Sequence, residues 1–220
     1  MNQNSGARTA GDGDVLVIVD VQNNFCPGGG ARGAGRRRGH PGHQPARRAV
    51  RSCRLDPGLA SARAHVLCQL TSRKRLFETV EAVYGQQVLW PDHCGQGTEG
   101  AAFHPGLAVR RAELVLRKGF RPEIDSYSAF RENDRRTPTG LAAYLRERGF
   151  ERLTLCGLAT AYCVLFSVLD VREAGFAVRL TASACRGIDL DGSLARSMTE
   201  AGVTVVIRTG AAEIGVQPGR

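Results

Sequence analysis

Short hydrophobic runs recur along the chain and predict buried strands. The first lies in DVLVIVD (residues 14–20), where a continuous apolar run ends in an acid, as is typical of a strand buried on both faces. Similar runs follow at residues 112–118, 152–157, 176–182 and 203–208.

Helical patterns lie between several of these runs. Residues 137–149 begin with a capping Thr and close with Gly, and the stretches 161–175 and 191–202 also end in Gly. Strands that alternate with helices form βαβ units with a parallel sheet. We therefore predict a single three-layer α/β/α domain of Rossmann-like topology over residues 14–210. A disordered leader (1–13) and a tail (211–220) are expected to flank it.

Length and cysteine content narrow the class of protein. A chain of 220 residues fits one domain with a substantial core. It has no apolar run of the roughly 20 residues that span a bilayer, and no signal-peptide pattern. We therefore expect a cytoplasmic protein. Its seven cysteines are odd in number and form no disulfide framework, so a single reactive cysteine is the more useful hypothesis.

The basic charge is confined to one segment. Residues 31–75 hold twelve of the thirty Lys and Arg residues and a single acid, and the rest of the chain has a net charge of −2. The segment also contains no Phe, Tyr, Trp or Ile. A parallel-sheet protein should place a helix and its second strand here, and propensity supports neither well. We therefore expect the second strand to be lost.

Three residues at strand ends suggest chemistry. The active site of a doubly wound sheet lies beyond the carboxyl ends of its strands. Asp20 and Lys118 each end a predicted strand, and Cys163 follows another through the turn GLATAYC. A helix start and a nearby ammonium favour a thiolate, an aspartate can accept its proton, and turn N–H groups can bind an oxyanion.

Each of these residues also has an ordinary interpretation. An Asp or Lys at a strand end is usually solvated, and a cysteine in an apolar helix is usually a small core residue. From the residues alone, a cysteine-dependent amide hydrolase is one hypothesis among several.

Five stretches carry a resemblance to a known family: DVLVIVDVQNNFCPGGG (14–30), VLWPDHCGQGTEGAAFHPGL (88–107), LVLRKGFRPEIDSYSAFRENDRRTPTGLAAYLRERG (114–149), CGLATAYCVLFSVLDVREAGF (156–176) and ACRGIDLDGS (184–193). They resemble the nicotinamidase branch of the isochorismatase-like cysteine hydrolases. The match covers roughly residues 17–30 and 76–207, which is most of the chain.

The resemblance implies a role for each residue of the triad. Asp20 would be the base, Cys163 the nucleophile that forms a thioester, and Lys118 the group that supports both. The N–H groups of Ala159 and Cys163 would form the oxyanion hole, next to a cis peptide between Leu158 and Ala159.

The resemblance also implies a substrate pocket and a metal site. Phe25 and Trp90 match the residues that sandwich a pyridine ring, and Tyr162 would lie near the pocket. His93 matches a ligand of a divalent metal (zinc, iron or manganese). Without the family, Trp90 and His93 would be interpreted as packing residues. The remaining cysteines singled out, Cys26, Cys94, Cys156 and Cys185, are expected to be structural.

The sequence departs from the family in three places. Asn24 replaces the usual acid of the QNDF turn, which we expect to be tolerated. Ala161 replaces the Asp that stands two residues before the nucleophile, which puts the orientation of that helix start in question. The third and largest departure is that no TQDWHPxxHxSF-like motif, the source of the other metal ligands, lies between Gly30 and Phe77.

A shift of reading frame accounts for this missing motif. Synonymous codons exist for Leu55 to Gln69 that, started one base later, translate as LTQDWHPRGHTSFA. We interpret residues 31–75 as frameshifted; the alternative is a real basic insertion. As written, only His93 remains as a ligand, and the spacing of His40, His43 and His65 gives no reason to expect a substitute. One histidine does not hold a divalent ion, so we expect the metal to be bound poorly.

The function implied by the resemblance is hydrolysis of nicotinamide to nicotinate and ammonia in NAD salvage, with pyrazinamide also accepted. Two alternatives stay within the family: a cysteine amidase for another small amide, and an inactive homologue without the metal site. A third is a nucleic-acid-binding protein that uses the basic segment, but its Arg residues lack interleaved aromatics and a binding fold. We expect a small-molecule amide substrate and no nucleic-acid or membrane partner. Oligomerisation is left open.

Overall fold

The computed structural model describes residues 13–26, 49–54, 77–91, 93–121, 123–187, 198, 200, 203–209 and 212–216. Residues 49–54, 205–209 and 212–216 are described by their backbone alone. The expected leader up to residue 12, most of the basic segment 31–75 and most of the expected helix 191–202 lie outside the described residues.

The chain forms one large sheet and a small hairpin. The strands in chain order are β1 (Asp14–Val19), β2 (Ala49–Arg54), β3 (Thr79–Ala82), β4 (Gly85–Val88), β5 (Leu114–Lys118), β6 (Arg152–Gly157), β7 (Ala177–Cys185), β8 (Thr204–Thr209) and β9 (Ala212–Val216). The large sheet has the order β5-β2-β1-β6-β7-β8-β9, and β3 pairs with β4 alone. All neighbours in the large sheet are parallel except β8 and β9.

This architecture confirms the three-layer α/β/α fold with a central parallel sheet. All five hydrophobic runs form strands, and the largest difference in their bounds is β7, which extends to Cys185. Residues 212–216 differ from the expectation of a tail, because they add an antiparallel strand to the edge of the sheet.

The expected loss of the second strand is wrong. Residues 49–54, in the middle of the basic segment, pair parallel with β1 on one side and with β5 on the other, in the register Val17↔Val50 and Val50↔Leu114. Sheet hydrogen bonds join backbone groups, so two parallel neighbours can accept a strand between them whatever its side chains favour. Propensity is only a weak guide for such a central strand.

Two α-helices are described, and both contribute buried side chains to the core. Helix α1 (Leu141–Glu147) begins four residues after the predicted Thr137, behind Gly140 in the left-handed conformation. Helix α2 (Leu165–Glu173) follows directly on a π-helical turn at Thr160–Val164. Short 3-10 helices lie at Asn23–Phe25, Glu99–Ala101 and Val109–Arg111.

The core lies between the sheet and these helices. Alternate residues of β1, Val15, Val17 and Val19, are buried, as are Leu153 and Leu155 of β6. Leu141 and Leu145 of α1 and Val168 and Val171 of α2 join the same cluster. Burial of these side chains fixes β1 and β6 side by side, so that their carboxyl ends meet at one edge of the sheet. Among the described residues, no helix has the length and apolar character needed to cross a membrane.

Candidate active site

A buried ion pair lies at the carboxyl edge of the sheet. Asp20 follows β1 directly and Lys118 is the last residue of β5, and both side chains are fully buried. Lys118 Nζ lies 2.8 Å from Asp20 Oδ2. The same ammonium donates to the backbone carbonyls of Ser126 (3.1 Å) and Tyr127 (2.6 Å). Three acceptors match the three donors of a lysine, which is what a buried charge requires.

The carboxylate of Asp20 keeps capacity for a further proton or hydrogen bond. Neither of its oxygens has a hydrogen-bond partner among the described residues, apart from the ion pair with Lys118. Asp20 also has a backbone φ of 49°, a left-handed conformation that is uncommon outside glycine and is enriched at functional sites. A buried carboxylate with open acceptor positions is suited to receive a proton.

The ends of β1 and β6 approach each other unusually closely. A side chain at Gly157 would place its Cβ 2.0 Å from the carbonyl oxygen of Val19, and Gly157 has a φ of +132°. Leu158 N–H donates to the same Val19 carbonyl at 2.9 Å. Glycine is therefore required here, and the turn after β6 lies against the residue that precedes Asp20.

That turn leads from β6 to Cys163. The peptide between Leu158 and Ala159 is cis, which confirms the expectation for this position. Cys163 is buried in the π-helical turn before α2. π-Helical turns are rare and occur frequently at functional sites. Among the residues that the structure describes, the Ala159 N–H donates to no acceptor, as a member of an oxyanion hole requires in the absence of substrate.

Backbone and hydroxyl contacts hold the turn in place. Thr160 N–H donates to the Arg186 carbonyl at 3.2 Å, so the strand end after β7 fixes the start of the turn. Ser167 Oγ donates to the Cys163 carbonyl at 2.5 Å and accepts from Ala129 N–H at 2.9 Å. Ala161 supplies no side-chain cap. The turn forms nonetheless, because these contacts orient it without the missing acid.

Aromatic side chains among the expected substrate-binding residues pack against neighbouring rings. Phe25 packs edge-on against His93 with ring centroids 5.2 Å apart. Trp90 packs edge-on against Tyr162 at 4.6 Å and against Tyr127 at 6.4 Å. The expected pocket residues therefore form two groups, one around Phe25 and His93 and one around Trp90 and Tyr162.

One ring nitrogen of His93 is hydrogen-bonded to the backbone, and the other is the nitrogen that could bind a metal. Its Nδ1 lies 2.6 Å from the Pro91 carbonyl, an arrangement in which Nδ1 donates and Nε2 carries the lone pair. No group of three or more His, Cys, Asp or Glu side chains with metal-binding geometry occurs among the described residues. The described side chains therefore do not make a complete divalent-metal site. His40, His43 and His65 lie outside them.

The substitution at Asn24 has a local explanation. Its Oδ1 accepts a hydrogen bond from Cys94 N–H at 2.7 Å. A side chain at Gly100 would collide with the Asn24 amide, its Cβ falling 1.9 Å from Oδ1, so the two turns are tightly packed. An amide oxygen accepts this bond as an aspartate would, in agreement with the expectation that the change is tolerated.

The other cysteines differ in environment. Burial raises the pKa of Cys185 to about 11, and burial also raises the pKa of the half-buried Cys26. Cys94 and Cys156 are buried free thiols. Raised pKa values disfavour the thiolate, so neither Cys26 nor Cys185 is suited to be a nucleophile at neutral pH.

Sequence reasoning missed the residues that hold the site together. Tyr127, Ser167 and Gln87 are buried and hydrogen-bonded to candidate site residues or to their loops. Tyr127 lies in the quoted stretch DSYSAF, and its run of small polar residues after a lysine-ending strand was the available signal. Nothing in the local pattern distinguishes Gln87 from its exposed neighbour Gln86.

The fold and site define the class of protein. The model of the isochorismatase domain family matches residues 14–211, and the chain belongs to that family. Within it, the chain is 40% identical to a nicotinamidase from Acinetobacter baylyi over 191 residues, covering 84% of this chain and 87% of the relative.

Solved structures agree with this placement. A nicotinamidase/pyrazinamidase from Acinetobacter baumanii superposes with a TM-score of 0.76 at 38% identity, covering 90% of this chain and 97% of that one. The protein PnC1 from L. infantum, solved in complex with nicotinate, gives a TM-score of 0.69 at 31% identity and covers 90% and 94%. A pyrazinamidase from Pyrococcus horikoshii, solved in complex with zinc, gives 0.61 at 25% identity and covers 89% and 99%.

Proposed function

We propose that this protein hydrolyses nicotinamide to nicotinate and ammonia through a thioester on Cys163, and accepts pyrazinamide as well. The observation that carries the proposal is the buried Asp20–Lys118 pair, 2.8 Å apart, beside the turn that holds Cys163. The identity to nicotinamidases and the nicotinate complex of a structural neighbour support the choice of substrate. The family's role in NAD salvage and a cytoplasmic location belong to the same proposal.

The first half of the reaction forms the thioester. Asp20 accepts the proton of the Cys163 thiol, and the thiolate sulfur attacks the amide carbon. The carbonyl oxygen becomes an oxyanion that receives hydrogen bonds from the N–H groups of Ala159 and Cys163. When the C–N bond breaks, Asp20 returns its proton to the leaving nitrogen and ammonia departs. Lys118 keeps the carboxylate oriented and balances its charge throughout.

The second half releases the acid. Asp20 takes a proton from a water molecule, whose oxygen attacks the thioester carbon. The C–S bond breaks, the sulfur recovers the proton from Asp20, and the product leaves as the acid, which releases its proton to solvent and becomes nicotinate. The same carboxylate thus serves twice, and each cycle consumes one water and one amide. The open acceptor positions on Asp20 are consistent with both steps.

The ring of the substrate would lie between the two aromatic groups. Trp90 with Tyr162 and Phe25 with His93 offer apolar faces and edges to a flat heteroaromatic ring. In the family a divalent metal adds a contact to the pyridine nitrogen. His93 would be one of its ligands here, and no step of the proposed chemistry on Cys163 passes through it.

The test measures ammonia release and acyl-enzyme formation. Cys163→Ala and Asp20→Asn should each lower turnover of nicotinamide by about a thousandfold or more, because they remove the nucleophile and the base, and circular dichroism checks that each variant is folded, since Asp20→Asn also leaves the buried Lys118 without its counter-charge. Cys26→Ala is the matched control and should retain full activity, since Cys26 has a raised pKa. Mass spectrometry of a rapidly quenched reaction should show nicotinoyl only on Cys163. Turnover by either variant close to that of the control would show that the chemistry does not depend on this thiol.

A further inference from the structure

Gln87 is a buried amide at the centre of a polar network. It lies in β4, is only 5% exposed, and its Nε2 is 2.7 Å from Asp125 Oδ2, 2.8 Å from Tyr127 Oη and 2.9 Å from the Val88 carbonyl. Its Oε1 accepts from Asn133 Nδ2 at 3.0 Å. Because the amide nitrogen has two hydrogens for these three acceptors, one hydrogen is shared between two of them. Partners on both the oxygen and the nitrogen give the buried amide one defined orientation.

Tyr127 extends this network to the proposed substrate pocket. Its hydroxyl oxygen accepts from Trp90 Nε1 at 2.8 Å as well as from Gln87 Nε2 at 2.8 Å. Its backbone carbonyl accepts from Lys118 Nζ at 2.6 Å. One residue therefore joins the indole to the ammonium of the buried ion pair.

The indole has few other means of orientation. Its ring contacts with Phe77, Tyr127 and Tyr162 are all edge-to-face, at centroid distances of 4.6–6.4 Å, and allow some rotation of the indole. The Nε1 hydrogen bond selects one rotation. The acceptor of that bond, the Tyr127 hydroxyl, is held by the Gln87 amide together with the packing of the Tyr127 ring against Tyr162 and Phe166.

Gln87 also joins two parts of the fold. The β3–β4 hairpin pairs with no strand of the large sheet, and an isolated two-stranded hairpin is marginally stable by itself. Gln87 connects it through Asp125, Tyr127 and Asn133 to the loop that supplies Lys118 with its carbonyl acceptors. Tyr84 adds a second link, since its hydroxyl accepts from Asp125 N–H at 3.2 Å, so loss of the Gln87 amide would loosen the chain segment that precedes Trp90 without detaching it.

We propose that Gln87 is a positioning residue that fixes the plane of Trp90, and with it the affinity of the pocket for a flat heteroaromatic ring, through the hydroxyl of Tyr127. It acts through Trp90 and does not touch the reacting atoms. The effect on affinity rests on the proposed function, because that function assigns Trp90 to the substrate ring. The effect on Trp90 itself does not.

The chemistry at this position favours glutamine over its closest relatives. Glutamate would place a carboxylate oxygen where Nε2 now lies, 2.7 Å from Asp125 Oδ2, and two like charges at that distance repel strongly in a buried site. Leucine fills a similar volume but donates nothing to Tyr127. Both replacements remove the same hydrogen bond by different means.

The test uses the single tryptophan of the chain. Because Trp90 is the only one, intrinsic tryptophan fluorescence reports on this site alone. The variants are Gln87→Glu and Gln87→Leu. Gln86→Glu is the matched control, since it adds the same charge at the neighbouring, exposed position. Emission and acrylamide quenching are measured without ligand, and nicotinate affinity is measured by quenching of the same emission.

Both Gln87 variants should shift the emission to longer wavelength, increase acrylamide quenching, and bind nicotinate about tenfold more weakly than the control. Circular dichroism should match that of the control, and Gln87→Leu serves as the second variant if Gln87→Glu fails to fold. Emission and quenching identical to those of Gln86→Glu in a folded Gln87→Leu chain would overturn the proposal. A shifted emission with unchanged nicotinate affinity would support the positioning role and overturn the assignment of Trp90 to the substrate ring.

Discussion

The two sides of the site are built to different degrees of completeness. On the thiol side, Asp20, Lys118 and Cys163 are buried; Lys118 is held by Asp20 and two backbone carbonyls, and the Cys163 carbonyl by the Ser167 hydroxyl. On the ring-nitrogen side, His93 is correctly oriented by the Pro91 carbonyl, but no second or third ligand accompanies it among the described residues. The residues of the thiol side follow or end strands β1, β5 and β6. The metal ligands that should accompany His93 were expected in the basic segment 31–75.

An amidase of this kind needs both the groups for acyl transfer and the groups that bind the substrate ring, and this chain provides the two sets unequally. The acyl transfer chemistry needs only groups that the described sheet edge provides. Recognition of a pyridine nitrogen by metal needs three or four protein ligands, and the sequence replaces the motif that should supply them. We infer that the thiol chemistry is intact and that the grip on the ring is impaired in this chain.

The largest expected effect tests this separation directly. In one variant, LTQDWHPRGHTSFA replaces the fourteen residues 55–68. This variant should bind about one divalent ion per chain and hydrolyse nicotinamide at least about a hundredfold faster than the chain as written. The chain as written should bind little metal, because one histidine competes poorly with water. Metal analysis and ammonia release on the two proteins measure the difference.

A matched control isolates the ligands from the segment. The same replacement with its Asp changed to Asn and its two His changed to Ala should bind no more metal than the chain as written. The rate of Cys163 alkylation should be alike in all three proteins, because the thiol side does not depend on the metal. Equal metal content and activity in all three would mean that the segment as written is functional and that the frameshift interpretation is wrong.

A second prediction concerns how tightly the thiol side is assembled. Gly157→Ala should destabilise the protein by at least about 3 kcal/mol, because its Cβ would fall 2.0 Å from the Val19 carbonyl oxygen, in a backbone that cannot move without displacing Asp20. Gly175→Ala is the control: its φ of +85° is also positive, but nothing lies within 4 Å of the added carbon. It should cost about 1–2 kcal/mol, the strain of the left-handed conformation alone. Urea unfolding measures both, and equal losses would contradict the close contact.

Much of the thiol side could be predicted from the sequence, for a physical reason. Apolar runs such as the one before Asp20 are strong signals of buried parallel strands, and the edge of the sheet where functional groups collect follows from the fold. Strand-ending residues can therefore be assigned to one site before any contact is known. The resemblance gave Lys118 as the residue that supports Asp20 and Cys163, and the structure adds a buried ion pair between Lys118 and Asp20.

Other features were beyond the sequence because they depend on tertiary neighbours. The strand at residues 49–54 is stabilised by backbone pairing with β1 and β5, which local propensity does not encode. Helix α1 begins at Leu141 and not at the predicted Thr137, because Asp134 accepts hydrogen bonds from Thr137 and keeps that residue in a turn. Gln87 became identifiable only when the hairpin was placed beside Asp125 and Tyr127.

The smallest predicted effect is the contribution of the buried Cys185 thiol to the pH dependence of the free energy of unfolding. Cys185 ends β7 and donates to the Thr181 carbonyl at 3.4 Å, and burial raises its pKa from 9.0 to about 11. Below pH 9 the thiol is neutral in both the folded and the unfolded chain, so its contribution to stability is fully present. As pH rises from about 9 to about 11, the unfolded chain releases this proton first, and the free energy of unfolding falls by up to about 2.7 kcal/mol.

Cys185→Ala should abolish this part of the pH dependence. The variant loses some stability at all pH values because a buried sulfur is removed, but the difference from the unsubstituted protein should shrink steadily above about pH 9. Cys26→Ala is the control, because Cys26 is only half-buried and its replacement should leave most of the alkaline loss in place. Urea unfolding across this range measures the difference. Curves for the unsubstituted protein and Cys185→Ala that stay parallel up to about pH 11 would show that Cys185 ionises as readily in the folded chain as in the unfolded one. In that case the Cys185 thiol is more accessible to water than its burial indicates.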